Sequence, residues 1–221
     1  MLAKLRTGLR RLRFRRLRRR FRDHTMVGRR RYVANLLLAH EHRDVPGAVV
    51  ECGVWRGGMI AGLATVLGPE RSYVLFDSFE GLPDAQPIDG EAAAAYQRDT
   101  SSPDYHDNCA AEASFARRAM ALAGIEEPRL VQGWFADTLP GHSWSEPIAL
   151  LRLDGDWYES TMTCLENLYD QVAPGGLIIL DDYYYWEGCA KALHDFLSRT
   201  KSSARIRELD GVCYLLKPDA P

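Results

Sequence analysis

Four aspartates in two pairs are the residues whose type and spacing best suit chemistry. Asp154 and Asp156 flank Gly155 in "LRLDGDWYEST", and Asp181 and Asp182 adjoin in "LIILDDYYYW". Each pair ends an apolar run, and 27 residues separate Asp154 from Asp181. That interval holds one helical stretch and a Pro-Gly-Gly turn, which is one crossover between parallel strands. Right-handed crossovers bring such strand ends to the same edge, so the four carboxylates converge. Converging like charges are costly unless something positive joins them. A hard divalent cation such as Mg²⁺ suits oxygen ligands and keeps positions open for water or a substrate oxygen. A hydroxyl held there is more acidic, and a neighbouring carboxylate can take its proton as general base. By spacing alone, all four are equal candidates for the metal.

A second motif stands upstream. "ECGVWRGG", residues 51–58, leaves one apolar run and opens a helical one, with Gly53, Gly57 and Gly58 allowing a tight turn and close approach of backbone to a ligand. The next apolar run ends at Asp77, 24 residues beyond Gly53, where a carboxylate can accept hydrogen bonds from a ribose diol. The spacing is G-x-x-x-G-G rather than the G-x-G-x-x-G of a pyrophosphate cradle, and Trp55 and Arg56 crowd the turn. A nucleoside without pyrophosphate fits better. S-adenosylmethionine has that character, and its amino-acid end suits Glu51 and the backbone of the turn.

These residues need a frame that gathers strand ends. Strand-like runs lie at 48–53, 72–77, 129–132, 148–154 and 176–181, with helical periodicity near 57–68, 109–123 and 160–173. Short apolar strands alternating with helices imply an α/β, doubly wound, mostly parallel sheet. "SARIRELDGVCYLLKP" adds a C-terminal antiparallel hairpin around Asp210-Gly211. Ligands in such sheets bind at the carboxyl ends of the strands, where the strand order reverses.

The chain's 221 residues, 46% hydrophobic, suit one domain plus an arm. The net charge of −2 conceals an asymmetry, since residues 1–31 carry about +13 and the remainder about −15. Residues 1–24 form a basic, arginine-rich arm, amphipathic or disordered, in which Leu2, Leu5, Leu9, Leu12, Phe14, Leu17 and Phe21 make one narrow apolar stripe. Such an arm suits an anionic membrane surface, nucleic acid or a second subunit, and so is a candidate homo-oligomer contact. The acidic charge of the remaining domain argues against nucleic acid as partner. The five cysteines show no paired spacing and read as reduced thiols of a cytoplasmic protein. No apolar run is long enough to span a membrane.

The stretches "VECGVWRGG", "LFDSFEGLP", "QGWFADTLP", "LRLDGDWYEST", "APGGLIILDDY" and "GCAKALHDFL" resemble, in order, the macrocin O-methyltransferase family, metal-dependent sugar O-methyltransferases of antibiotic biosynthesis. The resemblance spans about residues 25–217 and implies a Rossmann-like class I methyltransferase domain over 25–221, using S-adenosyl-L-methionine and Mg²⁺ on a sugar hydroxyl of a small glycosylated acceptor. It implies Asp154, Asp181 and Asp182 as metal ligands and Asp154 also as general base. Glu51, Gly53, Asp77 and the adjoining Ser78 match the cofactor pocket, with Trp134 and Phe135 toward the adenine end and Asp156 holding cofactor or loop.

"YYYW", Tyr183, Tyr184, Tyr185 and Trp186, is more aromatic than the resemblance leads one to expect and can stack on a sugar or a flat aglycone. Residues 84–108, rich in turn formers and charge, read as a mobile lid over the acceptor. His106 and His142 are auxiliary base candidates. A catechol or other phenolic acceptor is the nearest alternative chemistry, and RNA binding or RNA methylation through the arm is the alternative from another class.

Overall fold

A computed structural model describes residues 2–103 and 105–219, and the side chains from residue 7 onward. Seven strands form one sheet: β1 (Ala48–Cys52), β2 (Tyr73–Asp77), β3 (Arg129–Gln132), β4 (Ile148–Leu153), β5 (Val172–Leu180), β6 (Arg207–Leu209) and β7 (Val212–Leu216). Their order is β3-β2-β1-β4-β5-β7-β6. The first five strands pair in parallel, while β7 is antiparallel to both β5 and β6. β1 and β4 are buried at every position, as central strands covered on both faces must be. The strand order reverses between them.

Eight α-helices are present among the described residues: α1 (Leu2–Arg20), α2 (Arg29–Glu41), α3 (Gly58–Leu67), α4 (Glu91–Arg98), α5 (Ala113–Leu122), α6 (Phe135–Thr138), α7 (Tyr158–Leu168) and α8 (Glu187–Arg199). Alternation along the strands divides the core into two layers. Val49, Leu150, Leu177 and Ile179 pack with α1, α2, α3 and α5, and Val50, Leu151, Ile178 and Leu180 pack with α7 and α8. Among the described residues no helix is long and apolar enough to cross a membrane. All five cysteines are free.

Two expectations change. The arm is helical and shares the core, because Phe14 and Phe21 are fully buried beside Tyr32 and Leu36. The single apolar stripe divides in two, with Phe14, Leu17 and Phe21 inward and Leu9 and Leu12 exposed; the side chains of Leu2 and Leu5 lie outside the described residues. The segment read as a mobile lid is folded and tethered, residue 104 lying outside the described residues. Asp89 is buried, and its carboxylate accepts from the backbone N–H of Tyr158 (2.7 Å) and of Gln86 (2.8 Å), tying the segment to the start of α7. The indole of Trp157 donates to the carbonyl of Pro83 (2.8 Å).

Phe14→Ala and Phe21→Ala are each expected to cost about 3–5 kcal/mol in urea unfolding, whereas Leu9→Ala stays within about 0.5 kcal/mol. Phenylalanine variants as stable as the parent would detach the arm from the core.

Candidate active site

The site is assembled around a charged residue inside an apolar strand. Arg152 of β4 is 0% exposed, and its Cα lies opposite that of Glu51 in β1. Nη1 donates to Glu51 Oε1 (2.8 Å) and Asp154 Oδ2 (2.7 Å), and Nε donates to Asn35 Oδ1 of α2 (3.3 Å). Nη2 is 2.9 Å from Asp181 Oδ1, close enough for an ion pair but not aligned for a hydrogen bond. Burial disfavours the guanidinium's charge, yet Asp154, Asp181 and Glu51 more than offset this and raise its pKa. Arg31 of α2 supports the same cluster, donating to the carbonyl of Asp181 (3.1 Å), pairing with its Oδ2 (3.2 Å) and lying over the Tyr185 ring at 4.2 Å.

Beyond this cluster opens a cavity of about 350 Å³ at the carboxyl ends of the strands. One part of its wall holds Gly53, Trp55, Asp77, Ser78, Trp134 and Phe135, and another holds Asp154, Asp156, Asp181 and Asp182. Asp77 organises the first part: Oδ2 accepts from the N–H of Val54 (2.6 Å) and Trp55 (2.7 Å), and Oδ1 from that of Phe79 (2.7 Å). Trp55 (48°), Cys109 (63°) and Asp156 (57°) line the cavity at positive φ, and Phe79 (61°) follows the lining residue Ser78, so backbone strain gathers around the cavity. A Cβ on Gly53, itself at φ 85°, would lie 1.8 Å from the carbonyl oxygen of Asp154. Only glycine permits that approach.

Asp154, Asp181 and Asp182 each offer an oxygen within 4.8 Å of the others. Asp182 Oδ2 is buried without a hydrogen-bond partner, so the donor set fits a hard cation. Charge balance agrees. Glu51, Asp154, Asp156, Asp181 and Asp182 outnumber the guanidiniums of Arg152 and Arg31, which leaves an excess of negative charge for a cation to meet. Burial, reinforced by Asp154, pushes Asp156 up to about 8; burial pushes Glu51 to about 8 against the pull of Arg152. Asp182 is raised by burial and by Asp156, Asp154 and Asp181.

Several expected contacts are corrected by this geometry. Glu51 is 1% exposed, is not among the lining residues and accepts from Arg152, with Oε2 sealed from solvent. None of Tyr183, Tyr184, Tyr185 and Trp186 lines the cavity. Tyr183 bonds His194 (2.9 Å), Tyr184 and Tyr185 are exposed, and the Trp186 indole donates to Asp156 Oδ1 (2.7 Å). His106 is exposed beside Trp55, and His142 packs on Phe76 and Trp144, both outside the cavity wall. Arg152, Arg31 and Asn35 brace the acidic edge, and pattern reading passed over them.

The model of the macrocin O-methyltransferase (TylF) family matches residues 12–217. The chain belongs to the macrocin O-methyltransferase family. It is therefore an O-methyltransferase, and the match reaches into α1, further than the sequence motifs do. It is 38% identical over 199 residues to the 8-demethyl-8-(2,3-dimethoxy-alpha-L-rhamnosyl)-tetracenomycin-C 4'-O-methyltransferase of Streptomyces olivaceus, covering 85% of this chain and 73% of that protein. Identity to the mycinamicin III 3''-O-methyltransferase of Micromonospora griseorubida is 35%, over 85% of this chain and 75% of that one. Among solved structures, the O-methyltransferase NovP superposes with a TM-score of 0.73 at 30% identity, covering 88% and 82% of the two chains. The fold is that of the S-adenosylmethionine-dependent methyltransferases.

A carboxyl whose pKa is raised in the fold contributes its stability fully below its unfolded value, about 4, and loses it as pH rises through the folded value. For Glu51 and Asp156 that loss completes near pH 8. A cation in the set Asp154, Asp181 and Asp182 must displace the proton that burial favours on Asp182, and its charge opposes protonation of Asp156 and Glu51. Mg²⁺ is therefore expected to raise the melting temperature more at pH 8 than at about pH 6; equal shifts at both, or none, would remove the metal from this cluster.

Proposed function

We propose that this chain transfers the methyl group of S-adenosylmethionine to a hydroxyl of a sugar carried by a small natural product, with Mg²⁺ held by Asp154, Asp181 and Asp182. The observation that carries this reading is the junction, within one cavity, of the Gly53–Asp77 turn with the four-aspartate edge. The sugar is supported by relatives whose names specify sugar-borne positions, the 4' of a rhamnosyl tetracenomycin and the 3'' of mycinamicin III. The five free thiols suit a reducing cytoplasm.

In the reaction the acceptor oxygen attacks the methyl carbon in line with the breaking C–S bond, leaving S-adenosylhomocysteine. Bound Mg²⁺ supplies orientation and acidification of the hydroxyl. The protein does the rest. Gly53 and the Asp77-bound turn hold the donor, while the folded segment beginning at Pro83 and the side chains of Trp134 and Phe135 enclose it.

The proton passes to a carboxylate, and the geometry favours Asp156 over Asp154 for that step. Asp154 is engaged by Arg152 and belongs to the metal set. Asp156 lines the cavity and is oriented through one oxygen by Trp186.

Asp156→Asn is expected to lower kcat by roughly 10²–10⁴-fold with cofactor affinity and melting temperature retained. Asp154→Asn should abolish turnover and also cost about 1–3 kcal/mol of stability, since Arg152 loses a partner. An active Asp156→Asn enzyme would return the proton to Asp154.

Turnover with labelled S-adenosylmethionine should stop on chelation and return with Mg²⁺. Unchanged turnover after thorough chelation refutes the metal. A glycosylated acceptor should react where its aglycone does not, and preference for the aglycone would point to a phenolic acceptor.

A further inference from the structure

α1 has two unlike faces. Phe14, Leu17 and Phe21, spaced by four or fewer residues, turn into the core. Leu9, Leu12, Arg16 and Arg19 have the same helical spacing on the opposite side. Leu9 is 63% exposed and Leu12 52%. In the sequence, Leu5 and Leu2 continue that outer spacing toward the N-terminus.

The guanidiniums divide in the same way. Arg11 pairs with Asp210 (2.7 Å), Arg18 donates to the carbonyl of Val27 (3.0 Å), and Arg20 donates to the carbonyl of Leu122. These fasten the helix to the domain. Arg13, Arg16 and Arg19 are exposed and have no acid partner among the described residues. The outer face thus presents leucines to solvent within a rim of unneutralised positive charge.

We propose that this outer face of α1 docks on the surface of an anionic phospholipid bilayer. Leucines at this spacing can enter the acyl boundary along one line, and the flanking arginines reach back to lipid phosphates along their own apolar stems. The charge distribution of the chain supports one orientation, with residues 1–31 near +13 toward the lipid and the acidic remainder turned away. Nucleic acid would satisfy the arginines but leave Leu9 and Leu12 without a use. Docking of this kind is independent of the reaction assigned to the cavity. The chain nevertheless runs on from α1 through Phe21 and His24 to Met26 and Val27 in the cavity wall, so the docked helix is joined directly to the site.

The full chain is sedimented with vesicles of phosphatidylglycerol and phosphatidylcholine, and with phosphatidylcholine alone as control. Binding is expected only to the anionic vesicles and falls as salt rises. Arg13→Gln, Arg16→Gln and Arg19→Gln should each weaken it roughly fivefold, the equivalent of about 1 kcal/mol per charge. The pair Leu9→Ser and Leu12→Ser should weaken it by at least about tenfold. All five side chains are exposed, so unchanged melting temperatures keep the comparison clean.

Failure to bind anionic vesicles at low salt overturns the proposal. So does binding that ignores the leucine pair while single-stranded RNA binds equally well, which would mark a general polyanion surface. An oligomer that the leucine pair dissociates, with no vesicle binding, would assign the face to a second copy of the chain.

Discussion

A guanidinium without access to water sits at the centre of this protein, and the arrangement around it follows from the need to neutralise it. Leaving such a charge unpaired in a protein interior costs several kcal/mol. Arg152 avoids that cost by drawing carboxylates from three strands, Glu51 of β1, Asp154 at the end of β4 and Asp181 at the end of β5, with the amide of Asn35 from α2. The strands meet at the reversal of strand order, which is also where the cavity opens. A fixed organic cation thus sits behind the acidic edge. It lets Asp154 and Asp181 stand close together without being enough to balance Asp156 and Asp182 as well.

Much of this could be read from the sequence because parallel α/β architecture is written in short, separable signals. The five strand runs and the Asp210-Gly211 hairpin correspond to β1–β5 and β6–β7, since each is an apolar segment bounded by turn residues, although β5 starts four residues before the expected 176, at Val172. The acidic edge was legible because paired aspartates end two successive strands. Arg152 was not, although its signal was present: a charge inside "IALLRLD" has no place in a strand buried on both faces unless a partner waits there. Asn35 and Arg31 were hidden for a different reason. Their role depends on α2 packing against β5 and β7, a tertiary contact with no local trace, and Arg31 was absorbed into the run of arginines before it.

The aromatic segment after Asp182 illustrates the limit of reading side chains by type. Four consecutive aromatic residues suggest stacking on a substrate, but the turn that begins α8 sends each in its own direction. Trp186 ends as a hydrogen-bond donor to Asp156, Tyr183 as a partner of His194, and Tyr185 as a platform for Arg31. Direction in a turn is set by backbone dihedrals, and these follow from packing more than from residue type. The supposed lid is similar. Its polar composition reads as mobile, but the buried carboxylate of Asp89 and the anchored indole of Trp157 make it part of the enclosure.

The missing side chain of Gly53 has a mechanical meaning. Its backbone rests against the carbonyl of Asp154, so the turn expected to carry the methyl donor and the strand end expected to face the acceptor touch main chain to main chain. The gap the methyl group must cross is then gauged by peptide units, which barely deform, and not by rotamers, which do. Relatives built on the same contact can exchange their acceptor walls without recalibrating that gap, which gives a physical reason why one scaffold can serve many different hydroxyl groups.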